Sequence, residues 1–255
     1  RASSREMSNT LAALTPRTTP GAPAAGTFDR STVERIGRNV ERSADRLLDA
    51  FTERIRTGEA DFAELVCEEL PVATIGDWLG LPRADWAMLR QLTHDQVFTQ
   101  ELLPSASQLA LSDTATAELR AYFMELVRDR RSHPGNDPVT GWIRTWDEIE
   151  PDRDKADEAV YFLVLFVLLA ALETTATLLS TMTLRLVESP ERWDMVADDP
   201  DLVPGFVEET LRYDPPTHVI SRVAPHDTVL GGIEIRRDEM VHLMVGAAHR
   251  DPARH

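Results

Sequence analysis

AVYFLVLFVLLAALETTATLLSTMTLRL, residues 159–186, is the stretch whose reading decides the fold. Its first fourteen residues, Ala159 to Leu172, are apolar on nearly every side of a helix, and the run then meets Glu173, Thr174 and Thr175. A helix apolar all round belongs in the interior of a sizeable protein. Crossing a bilayer takes about 20 apolar residues, and a carboxylate interrupts this run too early. The pattern therefore predicts a long buried helix over about 157–187 and not a membrane span. A carboxyl buried there without a partner costs several kcal/mol or has its pKa forced upward, so it is either paired or used. Two readings of Glu173-Thr174 stand open on the residues alone. In one, Thr174 bonds back to the carbonyl of Ala170 and bends the helix slightly, while Glu173 finds a polar partner. In the other, acid and hydroxyl face a cavity and pass protons to a bound species.

With 255 residues, 42% of them apolar, the chain can bury a substantial core. A formal charge of −16 argues against nucleic acid or an anionic membrane surface as partner, since both attract basic patches. The one cysteine, Cys67, excludes an internal disulfide framework and a multi-cysteine zinc or iron–sulfur site, and it suits the cytoplasm. Its neighbours Glu68 and Glu69 would raise the thiol pKa, so packing is its expected role. The seven histidines show no H-x-x-x-H or H-E-x-x-H spacing, and no metal site is expected from them. The chain starts at Arg1 without a methionine and ends at His255 just after Arg250-Asp251-Pro252, so a fragment of a longer protein is expected.

Outward from the central helix, the region before it reads as helices throughout. Prolines and glycines make 1–27 loop-rich. Asp29 or Ser31 can cap an amphipathic helix running to Gly58. A second helical stretch spans Asp61 to Leu79 with a break expected at Pro71, and Gly80-Leu81-Pro82 stops it. Helices are expected over Arg83–Gln100 and Ser112–Arg131, with a looser Glu101–Leu111 between them. His133 to Pro138 is a turn followed by a short helix, and Glu148–Glu158 is expected to be a charged connection. After the central helix come helices at Pro190–Ala197 and Val203–Tyr213, the latter stopped by Asp214-Pro215-Pro216. Beyond Pro216 the runs 219–223, 228–230, 233–235 and 240–245 are β-prone, with Gly231-Gly232 and Arg237-Asp238-Glu239 as turns. The fold class is mainly α with a small β-sheet, an α+β arrangement in one partial domain over 1–255: a helical lobe over 28–213, then a small β region over 217–255.

Several of these segments together are similar to the cytochrome P-450 family, the haem-thiolate monooxygenases. Ala170-Ala171-Leu172-Glu173-Thr174-Thr175 resembles that family's central-helix motif A/G-G-x-D/E-T-T/S, and Glu209-Thr210-Leu211-Arg212 resembles its E-x-x-R. Arg222, following Pro215-Pro216, resembles the arginine that holds a haem propionate, and Ala248-His249-Arg250-Asp251-Pro252 resembles the A-N-R-D-P turn with histidine for asparagine. Leu70-Pro71-Val72 and the His133-Pro134-Gly135-Asn136-Asp137 turn also match in place.

The resemblance implies a soluble bacterial-type, cytoplasmic enzyme with haem b, inserting one oxygen atom of O2 into a small apolar molecule. Electrons would come from NAD(P)H through a ferredoxin and its reductase. Glu173 and Thr174 would be catalytic, the acid relaying solvent protons and the hydroxyl hydrogen-bonding the oxygen under reduction. Ala170, Ala171, Thr174, His218 and Arg222 would border the haem. Leu169, Ala170, Thr217 and Val219 would face the substrate, as would His218. Glu209 and Arg212 would be a buried structural pair. The family's ligating cysteine falls downstream of the A-N-R-D-P turn, so no residue of this chain is expected to bind the iron. Ser4 and Ser8 stand where the family's H-x-x-x-R would fall, and Ala171 replaces the usual glycine. The fragment alone is expected to be inactive. The alternative implied by the same resemblance is a haem-free relative that helps a glycosyltransferase without catalysing. A helical ligand-binding domain without redox chemistry is a further alternative.

Overall fold

The structure, a computed structural model, describes residues 29–101 and 103–254. The loop-rich start expected over 1–27, with Ser4 and Ser8, lies outside the described residues. The helices are α1 (Arg30–Arg56), a π-wound segment (Ala63–Cys67), α2 (Glu69–Leu79), α3 (Trp86–Gln96), α4 (Ala106–Ser132), α5 (Pro138–Ile149), α6 (Arg153–Val187), α7 (Pro190–Asp198) and α8 (Val203–Tyr213). Four short strands follow, β1 (Ile220–Val223), β2 (Thr228–Leu230), β3 (Ile233–Ile235) and β4 (Met240–Leu243), then one turn of helix, α9 (Val245–Ala248). This is the mainly helical fold with a small β region that the sequence predicts. Packing divides the described residues into two units, one comprising those up to Ser43 with Ala73–Leu168, the other Ala44–Val72 with the residues from Leu169 on.

In the first unit α3 packs on α4 and α4 on α5. Leu119, Phe123 and Val127 of α4, Val139 and Trp142 of α5, and Val160 and Val164 of the first half of α6 are buried. Trp78 meets Trp142 edge to face at 5.9 Å between ring centroids. Helix α4 begins at Ala106, well before the expected Ser112. Ser105 accepts the Gln108 amide at 3.2 Å, and Gln108 returns a bond to the Ser105 amide at 2.8 Å. That reciprocal cap starts the helix inside the segment expected to be loose.

The charged connection is likewise shorter than the sequence suggested. Helix α5 runs on to Ile149 and α6 starts at Arg153, because Asp152 accepts the amide of Asp154 at 3.1 Å and caps the new helix. The expected break at Pro71 also lies elsewhere. The Glu68 amide bonds the Ala63 carbonyl at 2.9 Å, which winds a π turn before α2. Pro71 then falls in the first turn of α2, where an amide has no intrahelical acceptor to lose.

The second unit holds the end of α1, the π turn, the second half of α6, and everything after it. Phe51 and Phe62 meet edge to face at 5.2 Å. Cys67 is buried beside the Ser180 and Thr183 hydroxyls, and burial pushes its thiol pKa up, in line with a packing role. Strand β1 pairs antiparallel with β4, Arg222 opposite Val241, and between them β2 and β3 form a hairpin with Leu230 opposite Ile233. Gly231 and Gly232 take φ of 59° and 84°, the left-handed pair that a two-residue hairpin turn requires. Strand β4 stops at Leu243, two residues short of the expected end, because the chain turns there into α9.

Helix α6 is long and apolar as predicted, but its burial is one-sided. Ala156, Val160, Val164, Leu168 and Leu172, four apart, are all buried, whereas Phe166 is 51% exposed and Leu184 52%. By length and composition alone the helix could also cross a membrane. In the first unit, however, its Glu158 takes both arms of the Arg120 guanidinium, at 2.5 and 2.6 Å, and its Asp157 takes Arg131 at 2.5 Å. These are the partners of a helix packed against other helices.

Candidate functional site

Leu169, Ala170, Ala171, Glu173 and Thr174 occupy neighbouring turns in the second half of α6. Ala170 and Thr174, four apart, share the exposed face, and Glu173 is half-buried. The expected full burial of this carboxyl is therefore not found, since the buried stripe passes through Leu168 and Leu172 instead. The Thr174 hydroxyl donates to the Ala170 carbonyl at 2.7 Å. This is the back-bonded arrangement that the sequence left open, and it leaves the hydroxyl oxygen free to accept a hydrogen bond from a donor on the open face.

Thr217, His218 and Val219 lie in the extended segment between α8 and β1, with Thr217 and His218 exposed and Val219 half-buried. The His218 carbonyl accepts the Gly246 amide at 3.1 Å. A Cβ at Gly246 would sit 3.6 Å from the imidazole Cγ, ordinary contact, so the ring packs on that glycine. Arg222, on β1, donates one arm to the Ser221 carbonyl at 2.9 Å and has no carboxylate partner among the described residues. Its remaining donors are available to an anion. Among the described residues no hydrogen bond or ion pair joins the α6 group to the 217–222 group.

Glu209 and Arg212 do pair, through two bonds of 2.7 and 2.6 Å, and a third donor of Arg212 reaches the His249 carbonyl at 2.7 Å. The Glu209 carboxylate holds the guanidinium above its ordinary pKa range. The expectation of a buried pair is not met: the side chains are 61% and 29% exposed, because this side of α8 is open and Thr210 is its buried residue. Water screens such a pair, so it is worth less than a buried one. What the sequence reading missed is Asp214, taken there only as part of a helix stop. Its carboxylate accepts Arg185 at 2.6 Å and lies 3.5 Å from Arg250 and 3.7 Å from His218. The signal available was an acid directly before Pro215-Pro216, at the mouth of the segment carrying His218.

The model of the family cytochrome P-450 matches residues 105–254, more than half of the chain, and every residue of the candidate site lies within that match. The chain belongs to the cytochrome P-450 family. Among cytochrome P-450 relatives, pulcherriminic acid synthase of Bacillus subtilis (strain 168) is 33% identical, over 88% of this chain and 54% of its own. Steroid C26-monooxygenase of Mycolicibacterium smegmatis is also 33% identical, over 88% of this chain and 54% of its own. In structure, P450BioI in complex with hexadec-9Z-enoic acid ligated acyl carrier protein superposes with a TM-score of 0.82 at 26% identity, covering 100% of this chain and 66% of that one. The chain thus spans about half the length of the curated cytochrome P-450 relatives it matches.

Proposed function

We propose that this chain is part of a single catalytic domain of a haem-dependent monooxygenase that places one oxygen atom of O2 in a small apolar molecule. The observation that carries this reading is the Glu173-Thr174 pair at mid-helix, inside the family match, with the Thr174 hydroxyl on the open face of an apolar helix. Two relatives support an apolar substrate by their names, one a steroid monooxygenase and the other bound to a fatty-acyl carrier protein. Electron supply from NAD(P)H through a ferredoxin and its reductase, and a cytoplasmic location, belong to the same proposal.

The described residues fit a haem in part. Arg222 has open donors for a propionate, and His218 is an exposed second donor in the same segment. Cys67 does not suit the iron, since it is buried beside Ser180 and Thr183 and burial pushes its thiol pKa up. The family resemblance implies a cysteine thiolate ligand downstream of the 248–252 turn, and that placement belongs to this proposal. When bound, haem supplies activation of O2, and the protein supplies orientation and protons. The Thr174 hydroxyl oxygen accepts a hydrogen bond from a donor on the open face while its own O–H donates to the Ala170 carbonyl. Glu173, half in solvent, exchanges protons with water and passes them along the helix face to that hydroxyl. In this proposal Leu169 and Ala170, with Thr217 and Val219, border the substrate.

The test is the reduced, carbon monoxide-treated absorption spectrum of the protein expressed from its complete reading frame. A red-shifted Soret band is expected, and a haem-free spectrum from folded protein would replace this reading by the glycosyltransferase helper. In the loaded enzyme Thr174→Ala is expected to cut product formed per NAD(P)H consumed several-fold, with peroxide making up the difference. Unchanged coupling would remove Thr174 from the proton path. Arg222→Leu is expected to lower haem content on purification, and full haem content would show that it grips no propionate.

A further inference from the structure

The geometry points to Asp214 as a positioning residue that holds the 217–222 segment in place through Arg185, Arg250 and His218. The inference deepens the haem reading above, since that segment carries Thr217, His218, Val219 and Arg222. Asp214 closes α8, and its side chain is 23% exposed. One oxygen takes Arg185 from the far end of α6 at 2.6 Å, and the other faces Arg250 at 3.5 Å and His218 at 3.7 Å. Arg185 also reaches Glu188 at 2.9 Å, so it is fixed from both sides. Arg250 donates to the Tyr213 carbonyl at 2.6 Å and lays its guanidinium on the Tyr213 ring at 4.4 Å. One carboxylate thereby ties the end of α6, the end of α8, the turn after α9 and the start of the 217–222 segment.

Two facts make the carboxylate's charge the active feature. Among the described residues the charged or titratable groups that face Asp214 are Arg185, Arg250 and His218, with the Arg185 guanidinium foremost in holding its carboxyl below the usual range. In addition, the prolines at 215 and 216 have no amides, so the first backbone anchor of the segment beyond Asp214 is the Gly246 bond to His218. Without the charge, that single bond and the β1–β4 ladder are left to fix His218 and Arg222.

Hydrogen exchange on the full-length protein tests this, with Asp214→Asn, Arg185→Gln and Glu188→Gln compared with the parent. The first two are expected to speed exchange of the 218–223 amides about tenfold relative to the rest of the chain. Glu188→Gln, which spares the Asp214 contacts, is expected to leave them unchanged. If Asp214→Asn does not fold, Arg185→Gln carries the same expectation. Parent-like exchange at 218–223, or acceleration spread evenly over the chain, would overturn the inference. The haem content of the parent protein reads the monooxygenase proposal separately, so a haem-free parent with local acceleration in the variants rejects that proposal and keeps this one.

Discussion

Arg131→Met is expected to lower the unfolding free energy by about 3 kcal/mol, the cost typical of leaving buried charge without its partner. Arg131 sits at the end of α4 with its side chain only 8% exposed. It donates twice to Asp147 of α5, both at 2.8 Å, and once to Asp157 of α6 at 2.5 Å. Methionine fills similar space, so the loss reports chiefly the stranded Asp157 carboxylate, 13% exposed, with a smaller part from Asp147, which is 45% exposed and screened by water. The effect also has a pH signature. The Arg131 guanidinium holds the Asp147 carboxyl below the usual carboxylate range. A depressed carboxyl contributes stability above its unfolded pKa, near 4, and loses it as pH falls through the folded value. The gap between parent and variant should therefore be widest near neutrality and narrow towards acid. Urea unfolding at neutral and acidic pH measures it, and an equal gap at both would show that Arg131 acts through packing alone.

Gly76→Ala is expected to destabilise by about 2 kcal/mol, although alanine favours a helix over glycine by about 1 kcal/mol. A Cβ at this position would lie 2.3 Å from Nε1 and 2.5 Å from Cε2 of Trp86. The indole cannot retreat freely, because it is buried and donates to the Leu81 carbonyl at 3.2 Å. The Gly76 carbonyl in turn accepts the Leu81 amide at 2.8 Å, while Gly80 takes a left-handed φ of 68°, which closes α2. A urea midpoint equal to or above the parent's would mean that the ring moves aside at no cost.

Elements set by a local code were legible in the sequence. The α8 range, the β2 and β3 ranges and the Gly231-Gly232 turn follow from prolines, glycines and β-branched runs, and each falls where those residues put it. The long apolar helix was legible for the same reason. The start of α4 was lost because Ser105 and Gln108 cap across a segment whose composition reads as loop. The π turn was lost because no residue type marks one. For the candidate site, the acid–hydroxyl pair and Arg222 were visible as motif residues, whereas their exposure was not, since burial depends on which segments cover a face. Asp214 was hidden for a different reason: its partners Arg185 and Arg250 come from 29 and 36 positions away, and only the fold brings them together.

The π turn between α1 and α2 carries a consequence for insertions and deletions. Its Glu68 to Ala63 bond spans one residue more than the ordinary ladder. Deleting one residue from 64–67 would make Glu68 the fourth residue after Ala63, so the ladder would close as α while the side chains that follow keep their phase. The surplus residue is therefore one that the helix ladder can lose, and single-residue deletions should be better tolerated at 64–66 than inside α2.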